Sequence, residues 1–154
     1  MTTSSLIKNG LGFIALLIIV IQFFDTEKNI SASPSENAIE KHYQVSSHVQ
    51  GLLKTSCYDC HSNNTAYPWY NNIQPVKWWL ADHVNSGKRH LNFDEFNTYS
   101  QEKKLKKLDE ITETVRSGEM PLRSYTVIHH NTKLSSADQS EIEKWVSEVK
   151  KHIR

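Results

Sequence analysis

The sequence has little of what marks a catalyst or a cross-linked scaffold. Its two cysteines lie three positions apart, so a disulfide between them would close a tiny loop and constrain the chain little. One of its two methionines is the initiator. With 18 Lys+Arg against 17 Asp+Glu the net charge is +1, which excludes an overall basic bias toward nucleic acid. There is no phosphate-binding loop, no nucleophile–base motif, no internal repeat and no low-complexity tract. Strand-like alternation is missing throughout, which points to an all-α chain. Apolar residues make up 38%, lean beside the roughly 45–50% usual when glycine is counted. A chain of 154 residues with so few apolar side chains buries a small core and needs reinforcement. A large flat apolar cofactor is one way to supply it.

What is present begins with one hydrophobic run. Leu11 to Phe24 holds a single polar residue, Gln22, and is preceded by Lys8 and followed by Asp25. The run alone suits a secretory signal. Counted from Leu6, with Lys8 reaching toward the headgroups, it gives 19 residues and a helix of roughly 28 Å, enough to cross a bilayer. Ser31-Ala32-Ser33, the nearest small-x-small site, lies well downstream, so an uncleaved anchor over residues 6–24 is favoured over a cleaved signal. Either way the remainder is expected outside the cytoplasm, on the periplasmic side of the membrane, with Lys8 inside.

The expected organisation is a signal or membrane anchor at 1–24, a polar linker at 25–35 and a domain at 36–154. Four helical patterns follow the linker. The first runs from Ser35 to Leu53 with Ile39, Tyr43, Val49, Leu52 and Leu53. The second opens at Pro75, a favoured place for proline, and carries Val76, Trp79, Leu80 and Val84 with His83 in the same stripe. Gln101 to Ser117 forms the third, with Leu105, Leu108, Ile111 and Val115 inward and Gly118 ending it. The last starts at a Ser135/Ser136 cap and turns Ile142, Trp145, Val146, Val149 and Ile153 to one face.

Cys57-Tyr58-Asp59-Cys60-His61 carries the chemistry. C-x-x-C-H reads as an attachment site for haem c, one per chain. Two thiols reach the two vinyl groups, and the imidazole directly after the second binds iron from one face. Structural zinc needs four ligands, and this neighbourhood offers three, with no second C-x-x-C or H-x-x-x-H pair. A thioredoxin-like dithiol expects a preceding strand, and a plain disulfide leaves His61 without a role.

For the opposite face of the iron the candidate is Met120, in Gly118-Glu119-Met120-Pro121-Leu122, where proline stiffens a loop at a helix end. A thioether favours ferrous iron and raises the reduction potential. His83 is the runner-up, and the His129/His130 pair comes next. His42, His48, His90 and His152 read as surface residues.

C-Y-D-C-H-S-N followed by Y-P-W-Y-N-N-I-Q-P-V-K-W-W-L resembles the small haem-binding domain family of exported bacterial proteins. H-L-N-F (His90 to Phe93), G-E-M-P-L (Gly118 to Leu122) and S-Y-T-V-I-H (Ser124 to His129) extend the resemblance. The broader outline is similar to class I cytochromes c: a helix before the motif, a methionine–proline loop, and a last helix opening at Leu134-Ser135 with Trp145. The resemblance implies that a proline carbonyl, Pro68 or Pro75, accepts the ring N–H of His61. It also brings Trp69, Tyr70, Trp78 and Trp79 into question as pocket walls, with core packing the preferred role for Trp79. The expectation is a monohaem c-type cytochrome that passes single electrons to redox protein partners, an electron carrier more than an enzyme. Lys103, Lys104, Lys106 and Lys107 are candidates to steer an acidic partner, although such a run is commonly a solvated helix face. If Met120 does not bind, an open iron gives a gas or peroxide sensor or a weak peroxidase. Without haem the domain is an anchored interaction module.

Overall fold

The computed structural model describes residues 3–153; residues 1–2 and 154, the outer ends of the expected anchor and domain, lie outside it. Among the described residues the fold is all-α, with eight helices, three 3-10 turns and no strand. The helices are α1 (Thr3–Ile21), α2 (Ile39–His42), α3 (Ser47–Ser56), α4 (Tyr58–His61), α5 (Val76–His90), α6 (Gln101–Ser117), α7 (Arg123–Ile128) and α8 (Ser136–Ile153). The chain forms two compact units, residues 3–28 with 66–83 and residues 29–65 with 84–153. The division falls inside α5.

The first unit holds α1, a 3-10 turn over Trp69–Asn72 and the opening turns of α5. The 19 residues of α1 have a mean hydropathy of 2.0, and none is buried. By length and composition this helix can cross a membrane. Gln22 follows at its carboxyl end and returns its side-chain N–H to the carbonyl of Ile18 at 2.8 Å.

The second unit is built on α6 and α8, which pack along each other, with α3 against α8. Phe93, Phe96, Leu108, Ile142 and Val146 are fully enclosed, and Leu53 brings α3 into the same core. Caps fix the long helices. The Ser100 hydroxyl accepts from the N–H of Lys103 at 3.3 Å to open α6. Gly118, at φ 75°, closes it in the left-handed region where a side chain is strained. At α8 the Ser135 hydroxyl accepts the Asp138 N–H at 3.2 Å, while the Asp138 carboxylate accepts from the Ser135 N–H at 2.9 Å.

The single helix expected over Ser35–Leu53 is two. Tyr43 is extended, with its ring edge-on to Phe96 at 6.0 Å, and the Ser46 hydroxyl caps a new helix through the Val49 N–H at 3.2 Å. Helix α7 and the turns at Phe93–Thr98 and His130–Thr132 are additional to the four patterns. The start of the second unit is tied down by specific bonds. Asn29 donates to the Ser62 carbonyl at 2.8 Å, and the Ser31 N–H donates to the Asn64 side chain at 2.9 Å.

Candidate functional site

Helix α3 ends where the cysteine motif begins. Its last residue, Ser56, is held by a hydrogen bond from its hydroxyl to the Thr132 carbonyl at 2.9 Å. At Cys57 the backbone leaves helical geometry, and α4 restarts as a single turn. The Cys57 carbonyl accepts from the N–H groups of Cys60 and His61 at 3.2 and 3.0 Å. Four residues apart on that turn, Cys57 and His61 face the same way, and both line one cavity of about 300 Å³. Cys60 turns toward α5, where its carbonyl meets Gly87; a Cβ on that glycine would lie 2.5 Å from the Cys60 oxygen.

Asp59, between the cysteines, anchors the turn from outside. Its carboxylate accepts the Tyr125 hydroxyl at 2.6 Å and its carbonyl accepts the Thr65 hydroxyl at 2.6 Å. Helix α7, absent from the sequence reading, thus fastens the motif.

The ring of His61 is oriented by Leu91, whose carbonyl accepts the Nδ1–H at 3.0 Å. A carbonyl only accepts, so Nδ1 carries the proton and Nε2 keeps its lone pair. Burial, and to a smaller degree His90, holds the imidazole pKa below its ordinary value, opposed by backbone hydrogen bonds to Leu91 and Gly87, which favours the neutral ring. The carbonyl expected from Pro68 or Pro75 is therefore that of Leu91. The reason is local: α5 ends at His90, and the next residue turns its carbonyl back onto the motif. Buried Asn92 braces this turn. It donates through its side chain to Asn63 at 2.8 Å and through its backbone to the Tyr99 hydroxyl at 2.9 Å, and its Oδ1 accepts the Asp94 N–H at 3.0 Å.

Burial, with a smaller contribution from Cys60, pushes the Cys57 thiol up to about 12; burial and the Asp59 charge push Cys60 to about 11. At neutral pH both are thiols. The depressed thiolate pKa of a dithiol oxidoreductase is missing here, as is the strand that precedes such a motif. No cluster of three or more His, Cys, Asp or Glu side chains among the described residues is placed to hold a metal ion, which removes the geometric basis for a zinc site.

Met120 lines the same cavity as Cys57 and His61. Gly118 turns the chain at the end of α6, and the Met120 N–H then donates to the Thr114 carbonyl at 3.0 Å. His83 is engaged on its own helix, its ring bonded to the Trp79 carbonyl at 2.9 Å and tilted against the Trp79 ring at 4.2 Å. His129 stacks on Tyr125 at 4.6 Å, and His130 opens a 3-10 turn. Neither of these two lines the cavity. The aromatic wall is Phe93, and Trp69, Tyr70, Trp78 and Trp79 do not contribute. His90, read as a surface residue, is exposed yet forms part of the cavity rim. Lys107, read as one of a solvated run, lines the cavity with its ion-pair partner Glu110 at 2.6 Å.

A haem requires a flat apolar enclosure with a borderline or soft donor on its axis. Leu53, Phe93, Ile111, Val115 and Ile142 supply the enclosure, and the lone pair of His61 and the thioether of Met120 are donors of the right kind. The residues present fit the group. The sequence model of a family described as a haem-binding domain matches residues 16–148, most of the chain. No curated protein matches the chain, and no solved structure does. With an oriented histidine, a thiol and a thioether gathered on one apolar cavity inside that matched span, the chain belongs to the haem-binding domain family.

Proposed function

We propose that the chain is a monohaem c-type cytochrome, held at the membrane by α1 and facing the periplasm, that moves single electrons between redox proteins. The observation that supports this reading is the meeting of Cys57, His61 and Met120 on one cavity, with the His61 tautomer set by Leu91. Cys57 and Cys60 are the thioether positions. His61 and Met120 are the side chains that would hold the iron. Haem held there supplies a one-electron couple. The hydrogen bond to Leu91 raises the basicity of His61 and keeps its ring from turning. Met120, a soft donor, favours the reduced state and raises the potential. The apolar walls exclude water, and iron held by both side chains would be closed to substrate. The natural activity is then outer-sphere transfer, which needs no proton at a side chain.

The partner is a protein with an acidic surface, met by the exposed Lys103 and Lys106 of α6. Lys104 is bonded to Asn97 at 2.9 Å and Lys107 to Glu110 at 2.6 Å, while Lys103 lies over the Tyr99 ring at 3.8 Å and Lys106 reaches Glu110 at 3.9 Å with its side chain still mostly in solvent.

The test is the ferric absorption spectrum of protein exported from a host with cytochrome c maturation. A sulfur-to-iron charge-transfer band is expected, lost in Met120→Ala together with a fall in reduction potential. If the parent lacks the band and binds carbon monoxide rapidly when reduced, the iron is open and the chain is a gas- or peroxide-binding protein instead.

A further inference from the structure

The four-residue turn Trp69–Asn72 and the start of α5 carry more exposed aromatic surface than a water-facing segment needs. Trp69 is 75% exposed, Trp79 44% and Trp78 37%, with Ile73 at 47% between them. Beside them in the same unit, Phe23 and Phe24 follow α1, at 83% and 60%. Scattered apolar residues on a surface need no explanation, but a contiguous group of this size does.

The carboxyl end of α1 is fastened to this segment. The Gln74 N–H donates to the Gln22 side-chain oxygen at 3.0 Å, and the Gln22 amide donates back to the Gln74 carbonyl at 3.3 Å. The Phe24 carbonyl accepts from the Gln74 side chain at 2.6 Å and from the Trp78 indole N–H at 3.1 Å. Lys77 forms an ion pair with Asp25. These bonds satisfy the polar atoms where the helix ends, and the indoles remain partly exposed.

A helix of 19 residues spans roughly 28 Å, about the thickness of a bilayer's hydrocarbon core. What is bonded to its carboxyl end must therefore lie at the level of the lipid headgroups. Flat rings with an apolar body and one polar tip partition to that level, and Trp most of all. We propose that Trp69, Ile73, Trp78 and Trp79, with Phe23 and Phe24, form a collar that seats in the headgroup–acyl boundary of the phospholipid bilayer that α1 crosses. The inference rests on α1 being retained as an anchor. The covering partner is lipid, because the exposed surface is continuous with the end of a helix whose own surface is wholly unburied.

The experiment uses the full holoprotein in phosphatidylcholine nanodiscs, with or without bromine on the upper acyl chain. Comparing the two lipids cancels any quenching by haem. Intact mass establishes whether residues before Asp25 are retained. Tryptophan fluorescence is expected to fall about two-fold in brominated discs. It should fall at least as far in Trp145→Phe, and hardly at all in the Trp69→Phe/Trp78→Phe/Trp79→Phe chain. A retained α1 with equal fluorescence in both lipids overturns the collar and leaves the anchor standing. A mass lacking residues before Asp25, with the protein free in solution, overturns both.

Discussion

Gly87 and the Cys60 carbonyl approach so closely that any Cβ on the glycine would lie 2.5 Å from that oxygen and 3.0 Å from the Cys60 Cβ. The end of α5 thus rests on the backbone of the cysteine motif, and a methyl group there pushes against main chain. Gly87→Ala should cost about 1–3 kcal/mol, the usual cost of overpacking. A lower denaturant midpoint and a smaller haem-loaded fraction are the expected outcome. An unchanged midpoint would mean that α5 and the motif slide apart freely.

Asn92 braces the turn that presents the Leu91 carbonyl to His61. Asn92→Ala removes the partner of the half-buried Asp94 N–H and of the Asn63 side chain, and should cost about 1–3 kcal/mol. With the turn loosened, the hydrogen bond that raises His61 basicity weakens, so the reduction potential should rise. Urea titration and potentiometry on the same preparation check both effects. A stability loss with an unmoved potential would separate Asn92 from the orientation of His61.

The cap of α8 predicts an acid limb. Two hydrogen bonds from Ser135, then the nearby His48, hold the Asp138 carboxyl below its ordinary value of 3.8. The native state therefore binds this proton less readily than the unfolded chain. Its contribution is complete above about pH 4 and is lost as the pH falls through the native value. Asp138→Asn should be less stable than the parent at pH 7, and the gap should close on acidification. A gap that persists undiminished at pH 2 would show that the charge of Asp138 plays no part.

Where caps are written in side chains, the sequence was legible to the residue. Gly118 closes α6 and Ser135 caps α8, as their residue types require. The break at Tyr43–Ser46 was also written, in the Ser46-Ser47 pair, but the apolar spacing of Ile39, Tyr43 and Val49 mimics one continuous helix. The carbonyl that orients His61 was not legible, because every residue carries a carbonyl and only tertiary folding selects one. Leu91 nonetheless sits inside the His90–Phe93 stretch that carried part of the family resemblance. The roles of Lys107, Glu110 and His90 were hidden for a related reason. A charge on a helix looks solvated until a neighbouring loop, here the Met120 turn, is seen to line the same cavity. Trp69, Trp78 and Trp79 misled in the other direction: their bulk suggested a pocket wall or, for Trp79, core packing, whereas they lie exposed in the unit that holds α1.

The most direct measurement is a denaturing gel stained for haem peroxidase activity, run on protein exported with the cytochrome c maturation system. Stain that migrates with the parent chain and is lost in Cys57→Ala/Cys60→Ala is the expected result. A parent that binds haem in native buffer but carries no stain through denaturation would contradict thioether attachment at Cys57 and Cys60.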